Sequence, residues 1–382
     1  MLNKISQFIQ CYFDTKEFIP LHEPNFSSIE SQMLIDCLDS TYVSTVGANV
    51  TQFESEICAF TQSNYAVTTN SGTSALHVAL LVAGVKRDQF VITQSLTFVA
   101  TCNALSYIGA TPIFVDVSLQ SLSLCPVSLE NFLLEYAFVN EDGECIHKIE
   151  KKKISAVLPM HTFGHPADMN GIQKVCKKWN LAIVEDAAEG LGSQYNGQSL
   201  GTFGTASALS FNGNKVITTG GGGALLTQDI QVANASRHLM STAKVQHERE
   251  FIHDQVGFNY RMPSINASLG RAQLGRLDGF LTEKRLLADE YRSLFLNSDY
   301  CFVDEPPNCK SNFWLNAVIC EDKSHRDRLL DSLAKDNIMG RPVWRPMHLL
   351  DMYADAPSVE LNNTEYFAQR LVNLPSSVKK KR

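Results

Sequence analysis

At 382 residues, with 44% hydrophobic and 19% charged side chains, the chain can bury a large core and has an ordinary globular composition. Its formal net charge of -7 argues against a nucleic-acid partner, since general nucleic-acid binders are usually basic. The ten cysteines are scattered and none forms a C-x-x-C pair, which points to reduced thiols in a cytoplasmic protein rather than a disulfide framework.

The first residues place Leu2, Ile5, Phe8, Ile9 and Phe13 at helical spacing, without the continuous apolar core or cleavage site of a signal peptide. The longest apolar run, residues 75–85, contains His77 and is too short to cross a bilayer, so no membrane partner is expected. From about residue 65 to 226, short β-rich runs alternate with helical patterns. The runs are 65–68, 90–93, 112–115, 154–158, 181–185 and 206–211; the helical patterns are 73–85, 98–107 and 169–179. Most runs are continuously apolar, as strands covered on both faces are. Such alternation predicts an α/β domain with a largely parallel sheet, whose ligands sit beyond the carboxyl ends of its strands. After Gly223, helical patterns dominate from 232 to 297 with an interruption near 257–263. An apolar strand at 313–320 and a helix at 324–335 follow. We therefore expect an N-terminal segment and large domain over residues 1–269 and a smaller α/β domain over 270–382. The closing Lys379-Lys380-Lys381-Arg382 run reads as a solvated tail.

Three residues outside any periodic pattern carry the chemistry. Asp186 follows the apolar run 181–185, Ser210 lies near the end of the next run, and Lys215 follows that run, in Ser210-Phe211-Asn212-Gly213-Asn214-Lys215. A strand-end carboxylate, a serine and a turn lysine are what holding pyridoxal 5'-phosphate requires. The amine forms a Schiff base, the carboxylate keeps the ring nitrogen protonated, and the serine helps hold the phosphate. Taken singly, Asp186 reads equally well as a helix cap or ion-pair member, and Lys215 as a solvated loop lysine. Between a strand and a helix, Asn70-Ser71-Gly72-Thr73 offers close backbone approach and free N–H groups to an anion; by itself it is also a plain N-cap. Glu189 reads as a contact to the cofactor's ring oxygen or as a capping residue. The spacing of Lys215 from its glycines excludes a phosphate-binding Walker loop. His161 and His165 are spaced like helical zinc ligands, yet Gly164 and Pro166 make a helix there improbable, so no metal is expected. At a strand end, His161 is either a substrate contact or a satisfied structural histidine.

Together, Asn70-Ser71-Gly72-Thr73, Thr97-Phe98-Val99-Ala100-Thr101, Glu185-Asp186-Ala187-Ala188, Ser210-Phe211 with Lys215, and Gly257-Phe258-Asn259-Tyr260-Arg261-Met262 resemble the DegT/StrS family of nucleotide-sugar aminotransferases, over nearly the whole chain. The resemblance implies the fold-type-I architecture: a large domain with a mostly parallel seven-stranded sheet flanked by helices, and a smaller C-terminal α/β domain. It implies that Lys215 binds the cofactor covalently and Asp186 pairs with its ring nitrogen. Phe98 and Ala188 would lie on the two ring faces, and Gly72, Thr73 and Ser210 would hold the phosphate. Asn259 would reach the phosphate of a neighbouring subunit in a homodimer with shared active sites, and His348 would lie near substrate. Glu189 and the Asn212-Gly213-Asn214-Lys215 stretch are similar to the LegC-like branch. That likeness implies amino transfer from L-glutamate to a UDP-linked 4-keto-6-deoxy sugar on a bacillosamine- or legionaminic-type route. The alternatives are a sugar dehydratase, another fold-type-I reaction, or a non-catalytic ligand-sensing member. Related 3-dehydratases carry histidine in place of the lysine, so Lys215 favours amination.

Overall fold

Strands β1 (Tyr65–Thr69), β2 (Phe90–Gln94), β3 (Thr111–Val115), β4 (Ile154–Leu158), β5 (Ala182–Asp186), β6 (Ala206–Ser210) and β7 (Gly223–Thr227) form one seven-stranded sheet. The computed structural model describes residues 1–379, so Lys380 to Arg382 of the basic tail lie outside the described residues. The strand order is β1-β7-β6-β5-β4-β2-β3. Every pair among β6, β5, β4, β2 and β3 is parallel, while β7 runs antiparallel to both β1 and β6. A parallel return needs a crossover helix. The connection from β6 to β7 contains none, so the chain reverses instead.

The continuously apolar strands are covered on both faces, as their composition required. Side-chain alternation sends Val91, Ala156 and Leu158 to one cluster, with residues of helices Gly72–Val82 and Val99–Ile108. It sends Phe90, Ile92 and Val157 to the other, with helices Pro126–Tyr136 and Met169–Lys178. A second sheet of four strands is antiparallel throughout, in the order Cys301–Phe302, Asn316–Ile319, Leu371–Leu374, Arg341–Pro342.

Three expectations change at the level of elements. The helical stretch from 232 to 297 divides into Ile230–Met240, Ser264–Leu274 and Leu277–Phe295, and its interruption spans residues 241–263 rather than 257–263 alone. The strand expected at 313–320 begins only at Asn316, because Phe313 takes a left-handed backbone with φ 46° that no strand accommodates. The N-terminal helix Leu2–Phe13 buries Ile5 and Ile9 in one cluster with Leu287, Tyr291, Val318 and Val372. Residue 270 lies inside helix Ser264–Leu274, so we propose that the smaller unit begins at Leu277 and takes in the N-terminal helix. No helix of the described residues is long and apolar enough to cross a membrane.

Candidate active site

Strand register brings the separated motifs together. Gly223 pairs with Thr69 of β1 on one side and Ser210 of β6 on the other, and Asp186 pairs with Ala208 of β6. The start of helix Gly72–Val82, Ser210 and Asp186 therefore meet at the carboxyl ends of the parallel strands. The helix is capped by Ser71, whose Oγ accepts from the Ser74 N–H at 3.0 Å. The N–H groups of Gly72 and Thr73 lie beyond the reach of the helix's own carbonyls and present a partial positive charge. Two glycines keep this end open. A Cβ on Gly72 would stand 2.8 Å from Ser210 Cβ, and one on Gly223 would stand 2.7 Å from the Gly72 nitrogen.

These groups line a cleft of about 270 Å³ that also receives Thr73, Phe98, Ala188, Glu189 and Lys215. Asp186 is almost fully buried. Its Oδ2 accepts from the Thr101 hydroxyl at 2.7 Å and its Oδ1 from the Ala188 N–H at 3.2 Å. Burial raises its pKa, opposed by these two bonds and by the charge of Lys215. Lys215 Nζ donates to Glu189 Oε1 at 3.2 Å and lies 3.9 Å from the ring centre of Trp314. Glu189 Oε2 accepts from the Phe163 N–H at 2.8 Å. Burial pushes the Glu189 carboxyl up to about 7, against the pull of Lys215. One amine and two buried carboxyls thus face one enclosed space.

This arrangement fits pyridoxal phosphate on structural grounds. The buried Asp186 carboxylate has a hydroxyl and an amide as donors, and a protonated ring nitrogen would supply the charge it lacks. The helix N-terminus at Gly72 and Thr73, where a phosphate is favoured, opens on the cleft, and the missing Cβ atoms of Gly72 and Gly223 let Ser210 and the helix backbone pack this closely. Gly72→Ala should weaken pyridoxal phosphate binding roughly 10-fold or more, because the new methyl overpacks Ser210. Cofactor titration of the full-length protein reads this directly; unchanged affinity would remove Gly72 from the phosphate cradle.

Fold and site together define a fold-type-I aminotransferase that uses pyridoxal phosphate. The sequence profile of the DegT/DnrJ/EryC1/StrS aminotransferase family matches residues 25–381, and the chain belongs to that family. It is 35% identical over 360 residues to the GDP-perosamine synthase of Escherichia coli O157:H7, covering 94% of this chain and 93% of that one. It is 33% identical over 363 residues to the GDP-perosamine synthase of Vibrio cholerae, covering 94% of each. Among solved structures, S. venezuelae DesV superposes with TM-score 0.82 at 28% identity over 94% of this chain and 95% of its own. Helicobacter pylori PseC shares the fold at TM-score 0.84 and 24% identity, with 94% of each chain covered.

The two expected substrate contacts, His161 and His348, are not brought to the cleft. His161 is fully buried behind it. Its Nδ1 accepts from the Ala167 N–H at 3.2 Å, and Nε2 faces Glu185 Oε2 at 3.2 Å. The period-2 pleat turns Glu185 to the face opposite Asp186, where it also accepts the Gly201, Phe203 and Gly204 N–H groups. His161 follows it inward and reads as a satisfied structural histidine. His348 lies beside Ser95, whose Oγ is 2.7 Å from Nδ1, and burial lowers its pKa. Asn259 is exposed on its own subunit. Conversely, Trp314 was not singled out by sequence, and Thr101 stood there only as part of the 97–101 motif, without its role as the Asp186 partner. Trp314 belongs to a run that reads as plain strand, and nothing local marks an indole more than ninety residues along the chain as a wall for Lys215.

Proposed function

We propose that this protein transfers the amino group of L-glutamate to a nucleotide-linked 4-keto-6-deoxy sugar, giving a 4-amino sugar. The observation that carries the reading is the shared cleft of Lys215, Glu189 and Asp186. Bound there, pyridoxal phosphate supplies an electron sink for negative charge developing at the substrate's reacting carbon. Lys215 Nζ takes the proton from that carbon in one half-reaction and returns one in the other, acting as general base and then acid. Glu189 Oε1 orients the amine, and Asp186 would keep the ring nitrogen protonated. Gly72, Thr73 and Ser210 would hold the phosphate, with Phe98 and Ala188 on the two ring faces.

The nucleotide admits two readings. Similarity of residues 212–215 to the LegC-like branch supports UDP, whereas the relatedness to GDP-perosamine synthases supports GDP. The exposed position of Asn259 supports a homodimer in which it reaches the neighbouring site, and His348 would lie near substrate. The free thiols support a cytoplasmic location.

The visible spectrum of the holoenzyme tests the first half-reaction. L-glutamate should bleach the absorbance given by attachment at Lys215 and release 2-oxoglutarate. A yellow protein indifferent to glutamate would move the reading to another donor or to the dehydratase alternative. Turnover with UDP- against GDP-linked 4-keto-6-deoxy sugars then decides the nucleotide.

A further inference from the structure

Lys284 lies on the buried stripe of helix Leu277–Phe295, in line with Phe280, Leu287 and Tyr291. It is 1% exposed, and its Nζ donates to the carbonyls of Ser376 at 2.7 Å, Trp314 at 3.1 Å and Phe313 at 3.4 Å. No carboxylate among the described residues pairs with it. The neighbouring His22, whose ring nitrogens have no hydrogen-bond partner, adds no second positive charge, because burial and the nearby Lys284 and Lys215 hold it well below the usual range. Burial alone pushes the Lys284 ammonium down to about 7. An unpaired buried ammonium is costly, and a methionine would fill the same stripe without that cost. The lysine is therefore best explained by what its N–H groups hold.

What they hold is the segment that carries Trp314. Phe313 sits at φ 46°, a conformation that a bulky residue keeps only when its surroundings fix it. The fixing contacts converge here. Asn312 Oδ1 accepts from the Trp314 N–H at 2.8 Å, Asn312 Nδ2 donates to the Glu189 carbonyl at 2.7 Å, and Trp314 Nε1 donates to the Asn214 carbonyl at 2.7 Å. The indole face lies against Lys215 Nζ, and Asn214 is the residue before that lysine. Lys284 thus grips the far side of a strap whose near side packs on the reacting amine.

We propose that Lys284 is a positioning residue for Lys215: by binding the Phe313 and Trp314 carbonyls it fixes the indole that, with Glu189, holds the Lys215 amine in place. It rests on Lys215 being the reacting amine but not on any sugar or nucleotide. The test reads the amine itself in the full-length protein after cofactor removal, so it fails separately from the substrate assignment.

The probe is acetic anhydride at limiting concentration. Acetylation of Lys215 is counted by peptide mass spectrometry against the exposed Lys177 as internal reference. Lys284→Met keeps the volume and removes the donors; it should raise Lys215 acetylation at least about fivefold. Trp314→Leu should raise it to a similar extent. The double variant should go no further than either alone, because both act on one contact. Should the Met variant fail to fold, Lys284→Gln, which can still donate to two of the carbonyls, should give a smaller rise of the same kind. Wild-type acetylation of Lys215 in any folded Lys284 variant overturns the proposal. So does a rise of the same size when Trp314 is already removed, which would mark Lys284 as a structural tie to Ser376 alone.

Discussion

Lys215→Ala is expected to lower turnover by roughly a thousandfold or more, since one amine serves as both covalent tether and proton carrier. The side chain is only 13% exposed, with Glu189 at 3.2 Å and the Trp314 ring at 3.9 Å. Glu189 is the nearest other base, but its carboxyl cannot form the covalent link, and its Oε2 is tied to the Phe163 N–H. The variant should still bind pyridoxal phosphate through the Gly72 cradle and Asp186, without the visible absorbance that attachment at Lys215 gives. Lys215→Arg, which keeps the charge and loses the nucleophile, should fail equally. Near-normal turnover by either variant would overturn the assigned mechanism.

Asp186→Asn should slow the glutamate half-reaction by roughly 10²–10³-fold, the size of effect seen when one preorganised electrostatic partner is removed. The amide is isosteric, and its oxygen can still accept from the Thr101 hydroxyl, so the geometry survives while the charge does not. The loss should appear in kcat, with KM for glutamate little changed. An unchanged rate would remove Asp186 from its role. Stability should move the other way. Burial raises the Asp186 pKa above its unfolded value, so in the cofactor-free protein the folded state binds more protons than the unfolded one between the two pKa values. Stability therefore falls as pH rises through that window, and at neutral pH the buried charge is a net cost. Asp186→Asn removes the cost, so the cofactor-free variant should unfold at a higher temperature than the parent at pH 7. A lower midpoint would mean that the bonds from Thr101 and Ala188 outweigh the desolvation. The site trades stability for function.

Much of this cleft can be read from local pattern. Asp186, Ser210 and Gly72 each stand where an apolar strand gives way to a turn, and strand ends on one side of a parallel sheet are the places a ligand reaches. Lys215 is conspicuous because its turn is rich in glycine and asparagine and lacks an amphipathic period. His161 shows where such reasoning stops. A strand-end position says how near a residue lies to the rim, but the pleat decides which face it takes, and one residue of register turned it toward Glu185. The strap at 311–314 escaped for a related reason. Phe313 and Trp314 open an apolar run that reads as a strand, and only the positive φ of Phe313 reveals that they do not belong to one. Helices Ser28–Asp39 and Ala48–Thr61 also go beyond the expected elements.

The alternation of strands and helices, the turns that end them and the reactive groups in those turns are legible locally, because all depend on periodicity and backbone preference within a dozen residues. Long-range packing is what inserts β7 between β1 and β6 and so brings Gly72 against Ser210 and Gly223. It alone decided that Thr101 would donate to Asp186, that Trp314 would cover Lys215, and that a lysine on an apolar stripe would find carbonyls instead of water. These contacts join residues far apart in the chain, and side-chain type does not encode them. They follow from which faces must be buried together, and that is settled only when the whole core packs.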